Sequence, residues 1–295
     1  MDKLDYWGLM INDYKGGIFL PKRKRESSLT QIEKRIKEGR GQGYLHDYIP
    51  WLLIQDVPSS GRATRIRGWK TNRIHHVHSD LERSYYYILE WSDIVTDIRE
   101  QFPLLPIEET LSIAEELNIK HPTDPKSTQP IVITTDFMIS VGNREIARTI
   151  KPSSQLDSHR VIEKFEIERR YWAKRNIDWG IVTEVDIPKI LIQNIEWVHK
   201  ERHNEDVHHL GPYIVSGIEK IVLENLSDAH TSLASATSIA DDKLGLEPGT
   251  SLAMVRHFIA AKRWKVNMSK PILPSQPLDE IIIENEQLRN SAMGG

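Results

Sequence analysis

The sequence predicts an α/β core, a mixed sheet flanked by helices, joined to a small helical C-terminal module. Two observations predict the core. Strand patterns at 131–139 and 145–151 meet at a Gly142-Asn143 turn, and they alternate with helical stretches at 79–91 and 158–175. A third predicts the module. After His199 the pattern changes to helical segments near 212–226, 231–243 and 250–263, with a short strand expected at 265–268. Three helices and a strand ribbon within about 60 residues point to a winged helix.

Taken in order, residues 1–26 read as a basic arm ending in Lys22-Arg23-Lys24-Arg25. Ser28-Leu29-Thr30-Gln31 has capping-box form and opens a helix through Lys37, stopped by Gly39. Gly39-Arg40-Gly41-Gln42-Gly43 is not a phosphate-binding fingerprint, because no strand precedes it and no Gly-Lys-Ser/Thr follows. Pro58-Ser59-Ser60-Gly61 is a turn before a basic stretch carrying Arg62, Arg65, Arg67, Lys70 and Arg73. Residues 96–102 and 179–183 look extended, and Pro152 ends the strand after Lys151. The polar stretch 200–209 reads as a linker. The expected organisation is therefore an arm at 1–26, a catalytic domain at 27–200, the winged-helix-like module at 201–275 and an acidic tail at 276–295.

Composition narrows the function. Hydrophobic content of 39% and charged content of 27% are those of an ordinary globular chain of 295 residues. The absence of cysteine excludes disulfides, thiolate zinc sites and a cysteine nucleophile. No apolar run approaches a membrane span, and the N-terminal apolar stretch is broken by Asp13, Lys15 and two glycines, unlike a signal peptide. The expectation is a cytoplasmic protein with no membrane role. Net charge is only -3, but from Pro21 to His78 thirteen Lys and Arg face five Asp and Glu, 13 − 5 leaving eight positive charges. Such a local surplus suits phosphate neutralisation, although solvated helix faces explain charge runs as well. Arg256, Lys262 and Arg263 make a second basic cluster, which could equally be a solvated helix face.

The chemistry gathers on the hairpin. In Thr134-Thr135-Asp136-Phe137 the Asp136 carboxylate alternates with its apolar neighbours, and on the next strand Thr149 and Lys151 share a face. A carboxylate on one strand beside a polar-x-Lys pair on the next is the arrangement of PD-(D/E)xK nucleases. There carboxylates hold a divalent metal and the lysine stabilises the charged transition state. Glu82, in Ser79-Asp80-Leu81-Glu82, is placed to supply a further carboxylate from a preceding helix, though the same four residues are also a capping box. Glu168 reads first as a helix-surface partner of Arg169 or Arg170. His75, His76 and His78 lack the Cys or His-x₃-His partners of a zinc site and read as half-buried strand residues near Glu82.

Several motifs carry a resemblance. Arg35-Ile36-Lys37-Glu38-Gly39-Arg40-Gly41-Gln42-Gly43, Tyr48-Ile49-Pro50-Trp51, Val57-Pro58-Ser59-Ser60-Gly61-Arg62 and Ser79-Asp80-Leu81-Glu82 resemble the TnsA family, the endonuclease subunits of heteromeric Tns transposases. Asp97-Ile98-Arg99-Glu100-Gln101-Phe102-Pro103-Leu104-Leu105, Thr135-Asp136-Phe137, Lys151-Pro152 and Glu168-Arg169-Arg170-Tyr171-Trp172 resemble it too, in order over about residues 27–200. The resemblance implies a restriction-endonuclease-like catalytic fold and a winged-helix-like C-terminal domain. It implies cleavage of the 5′ strands at transposon ends, with Mg²⁺ as metal and Mn²⁺ as substitute. It further implies a TnsB transposase and a TnsC ATPase regulator as partners, double-stranded DNA as substrate and a nucleoid-associated location. CRISPR-guided transposons use related subunits. Catalytic roles fall on Glu82, Asp136 and Lys151, and metal ligation on Glu82, Asp136 and Thr149. Related nucleases carry Gln, Glu or Asp where Thr149 stands, so Thr149 adds no charge to the site, and a non-catalytic bridging subunit is the alternative reading.

Overall fold

The computed structural model describes residues 31–56, 62–125, 127–278 and 280–283. Lys22, Arg23, Lys24 and Arg25, the Pro58–Gly61 turn and most of the acidic tail lie outside the described residues. Residues 31–37 are helical and end at Gly39, whose φ of 77° only glycine adopts freely.

The central sheet has four strands: β3 Val95–Pro103, β4 Thr134–Val141, β5 Arg144–Ile150 and β6 Asp178–Val182, in the order β3-β4-β5-β6. The first two pairings are antiparallel and β5–β6 is parallel, so the sheet is mixed as expected. A two-stranded ribbon, β1 Thr64–Arg67 and β2 Ile74–Val77, lies beside it. Helix α1 Asp80–Trp91 follows the ribbon, α2 Ile107–Glu116 follows β3, α3 His159–Ala173 joins β5 to β6, and α4 Lys189–His199 follows β6.

The alternation read from the strands is realised as two apolar faces. Ile98, Phe137, Ile139, Ile150 and Val182 pack on Tyr86, Tyr87 and Leu89 of α1 and on Ile192 and Ile195 of α4. Met138 and Ala147 point the other way, onto Ile113 and Ala114 of α2 and Ile167, Tyr171 and Trp172 of α3. Those three α3 residues fall at helical spacing, which sets the buried stripe of that helix. Around the central sheet two helices escape the sequence reading, α2 and α4. Each follows a proline N-cap, Pro106 and Pro188, and both are short with polar residues among their apolar positions.

The C-terminal module has the expected order of three helices and a ribbon: α5 Pro212–Leu226, α6 Leu233–Leu244, α7 Thr250–Ala260, then β7 Trp264–Lys265 paired with β8 Ile282–Ile283. Helix α7 stops at Ala260, short of the expected 263, because the chain turns through Lys262 at φ 57°. The stretch 200–209 is folded rather than a free linker. Glu201 is 3% exposed and ion-paired to Arg256 at 2.8 Å, and Val207 is buried in the core of the module. Pairing of the buried charge explains why a polar segment docks here. Among the described residues no helix is long and apolar enough to cross a membrane.

Candidate active site

Helix α1 starts where it does because Ser79 caps it. The Glu82 N–H donates to Ser79 Oγ at 3.1 Å, and Ser79 Oγ in turn donates to Glu82 Oε1 at 3.0 Å. The second oxygen, Glu82 Oε2, accepts from the His78 N–H at 2.9 Å. The Ser79 cap is therefore real, though the return bond goes to the His78 N–H instead of Ser79's own, and together they hold the Glu82 side chain, only 8% exposed, in a fixed position on the sheet side of the helix. Capping and ligation are compatible roles for one carboxylate with several lone pairs.

Asp136 is positioned by a splay between β4 and β5. Their ladder runs from Val141↔Arg144 to Phe137↔Arg148 and stops there. Beyond it the Ile150 N–H donates to Asp136 Oδ2 at 2.7 Å, so a side chain replaces a strand partner. Gln101, held at φ 50° within β3, donates its amide to Asp136 Oδ1 at 3.2 Å. Lys151 follows directly, its N–H donating to the Val182 carbonyl at 3.0 Å.

The electrostatics tie the three together. Burial raises the Asp136 carboxyl to about 7, and the neighbouring Glu82 charge pushes the same way against the Ile150 and Gln101 hydrogen bonds and the Lys151 charge. Glu82 is raised as well, first by burial and further by Glu100, against the His78 and Ser79 hydrogen bonds and Lys151. Two adjacent carboxylates that resist ionisation are a donor set a cation would stabilise. Their hard oxygens suit a small divalent ion, which keeps waters of its own. Among the described residues no group of three or more His, Asp or Glu is placed to share a metal, and Glu82 and Asp136 are the carboxylates whose raised proton affinity a cation would relieve.

Thr149 lies two residues before Lys151, but its hydroxyl faces a separate buried network. Trp179 Nε1 donates to Thr149 Oγ1 at 3.2 Å, and Thr149 Oγ1 donates to Glu168 Oε1. The mirror-image branch runs from Trp172 Nε1 to Thr135 Oγ1 at 2.7 Å and on to the same Glu168 oxygen at 2.6 Å. Glu168 is therefore not the surface ion-pair residue expected. It is 3% exposed, raised to about 7 chiefly by burial, and clamps the residues beside Asp136 and Lys151. Arg169 and Arg170 pair instead with Glu166, at 2.8 and 2.9 Å. The signal was spacing: Glu168 shares the buried face of Tyr171 and Trp172, three and four residues on.

The cations expected to meet DNA divide into two groups. Arg62, Arg65 and Arg67 are exposed on and before β1, with weak contacts to Asp80, Gln55 and Asn72. Arg73 is interior, its guanidinium bonded to both Glu100 oxygens and to the carbonyls of Leu45 and Ile98. Lys70 donates to the Ser92 carbonyl at 2.6 Å. In the module, Arg256 binds the Trp197 carbonyl and Glu201, Lys262 the Trp91 carbonyl and Asp93, and Arg263 the Glu219 carboxylate. Glu100, which no pattern singled out, is fully buried beneath the site and held far below the ordinary carboxylate value by His75 and Arg73, whose pull exceeds the cost of burial. A run of charged residues inside an otherwise buried strand, Asp97 to Gln101, was the available sign.

Residues 92–184 match the family model of the TnsA-like endonuclease N terminal, a stretch that contains Asp136, Thr149 and Lys151 and begins after Glu82. Residues 186–268 match the model of the TnsA endonuclease C terminal. The transposon Tn7 transposition protein TnsA of Escherichia coli is 39% identical over 276 residues, covering 92% of this chain and 98% of that protein. The chain belongs to the TnsA family of transposition endonucleases.

Proposed function

We propose that this chain is a Mg²⁺-dependent DNA endonuclease, with Mn²⁺ as substitute, that cleaves the 5′ strands at transposon ends in complex with a TnsB transposase and a TnsC ATPase regulator. The observation that carries this reading is the convergence of Glu82, Asp136 and Lys151, in which burial raises the proton affinity of both carboxylates, Glu82 raises that of Asp136 further, and the Lys151 ammonium opposes both. Glu82 and Asp136 would hold the metal. Thr149 has its hydroxyl engaged by Glu168, so any ligand atom it offers is its carbonyl oxygen. When bound, the metal supplies Lewis-acid activation of the scissile phosphate and of a water at neutral pH.

The protein's own residues do the rest. Ile150 and Gln101 hold Asp136 by one hydrogen bond to each oxygen, and His78 and Ser79 do the same for Glu82, so neither carboxylate reorganises during the reaction. Lys151 offers its ammonium to the phosphoryl oxygens that gain charge as water attacks phosphorus. The attacking water loses its proton, and the departing oxygen gains one as its bond to phosphorus breaks. Exposed Arg62, Arg65 and Arg67, with Lys22, Arg23, Lys24 and Arg25 of the arm, supply phosphate contacts along the duplex. The module from 201 onward serves DNA or partner binding, and the working location is the nucleoid within the cytoplasm.

Asp136→Ala is expected to abolish 5′-strand cleavage of transposon-end DNA while the complex with transposase still assembles; cleavage at the wild-type rate would defeat the assignment. The bridging alternative draws on Thr149, whose hydroxyl adds no charge to the site. Titration calorimetry with Mg²⁺ or Mn²⁺ separates the two, because a nuclease shows binding heat that Glu82→Gln removes and a bridge shows none.

A further inference from the structure

We propose that Arg160 and Lys164, on the outer turns of α3, form a phosphodiester-binding site for the DNA strand next to the cut. The inference rests on the nuclease reading above for its ligand, and it adds a site outside the basic stretches already assigned to DNA. Residues 160, 164 and 168 follow one another at i,i+4 spacing and lie along one face of α3. The inner member, Glu168, is anchored on Thr135 and Thr149, the neighbours of Asp136 and of Lys151's strand. Lys164 thus sits one turn out from the base of the active site and Arg160 two turns out, roughly 6 and 12 Å along the helix axis.

The local positive charge is only partly matched by anions. Lys164 ends in a partly desolvated ammonium, repelled by Arg160 and by Lys151, and it lies below the ordinary lysine value through burial first and these two cations next. Among the described residues no carboxylate lies within ion-pair distance of Lys164 or of Lys151, while Arg160 has Glu163 at 2.7 Å. Further along the same helix the opposite holds, since Arg169 and Arg170 are both matched by Glu166. Ser158, the N-cap of α3, makes no side-chain cap, so the positive end of the helix adds to the same region. On this face of α3 Arg160 and Lys164 have one ion-paired carboxylate, Glu163, between them, and the unmatched charge would be stabilised by a polyanion. Arg160 and Lys164 follow one another along the helix axis, a line and not a ring around one point. A line of cations fits successive phosphates of a strand better than a single small anion.

The test is binding of the full chain to a transposon-end duplex in EDTA, where no strand is cut, over a salt series. The double variant Arg160→Gln/Lys164→Gln is expected to flatten the slope of log K against log salt by about two, at roughly 0.9 per phosphate. It should weaken binding by about tenfold or more at low salt on duplexes of any sequence. Lys164→Arg should retain the wild-type slope, and Lys174→Gln, at the far end of the same helix, should change nothing. Circular dichroism melting checks that the variants fold. A double variant with the wild-type slope overturns the site, and so does an equal loss from Lys174→Gln, which would mean bulk charge alone. Asp136→Ala cleavage is read separately. If it still cuts, the nuclease assignment fails while the slopes stand. If it is inert and the double variant's slope is unchanged, only the phosphate site fails.

Discussion

At the scale of residues, the site is a balance of buried charges with opposite signs of pH dependence. Glu168 has a folded value of about 7 against an ordinary 4.5, so the native state binds its proton more tightly than the unfolded chain. Its contribution is fully favourable below about 4.5 and is lost as pH rises through 7, by which point the cost is about 3 kcal/mol. Glu168→Gln retains a carbonyl to accept from Thr135 and Thr149 but has no charge to desolvate. Denaturant unfolding should show the variant gaining on the wild type by about that amount between pH 4.5 and pH 8. A difference that is constant across the range would mean that Glu168 is not a buried acid. Glu100 runs the other way, because Arg73 and His75 hold it ionised, and its contribution is lost only on strong acidification. Much of this was legible: Asp136 and Lys151 follow from strand alternation and Glu82 from its place on a helix. Glu168 was not, because Glu166 and Glu168 both precede Arg169-Arg170, and only the aromatic face of α3 decides which one is interior.

Elements position these residues by their ends rather than their middles. Glu82 sits in the first turn of α1, Asp136 at the end of a strand ladder, and Lys151 one residue past β5. Strand and helix ends are where backbone N–H groups remain free, and those of His78 and Ile150 orient the two carboxylates. Ser79 joins the two functions, since one hydroxyl both caps α1 and donates to Glu82. Ser79→Ala is expected to lower stability by about 1 kcal/mol and also to weaken Mg²⁺ binding by calorimetry, with Ser79→Thr restoring both. A variant that loses the cap energy but binds metal as before would separate the helix cap from the site. The longer elements and the Gly142-Asn143 hairpin could be read from periodicity. The four-residue strand β1 and the short helices α2 and α4 could not, because they hold too few turns or alternations for a pattern to stand out and depend on packing against the sheet, and β2 showed only through its histidines.

For the whole molecule, the two family models meet at residues 184 and 186, but the packing has no gap there. Helix α4 gives Ile192 and Ile195 to the catalytic core and Val198 to the core of the module. Trp69 stacks on His199 with ring centroids 4.7 Å apart and donates its indole N–H to the His199 carbonyl at 3.0 Å, while Lys262 reaches back to the Trp91 carbonyl. Asn194 ties the strap after β7 to α4, donating to the carbonyls of Met268 and Lys270 at 3.0 and 2.8 Å and accepting from the Ile272 N–H at 3.0 Å. Since α1 carries Glu82 at one end and Trp91 at this seam, the module is joined through one helix to the carboxylate proposed as a metal ligand. The chain should therefore unfold in one cooperative transition, with tryptophan fluorescence and far-UV circular dichroism coincident. Asn194→Ala leaves the Met268 and Lys270 carbonyls and the buried Ile272 N–H without their partner, and the Ile272 N–H alone should cost about 1–3 kcal/mol of stability. Both probes should shift together. Two separated transitions, or loss of the module signal alone, would make the seam a hinge and would remove this route by which a partner bound to the module could act on Glu82.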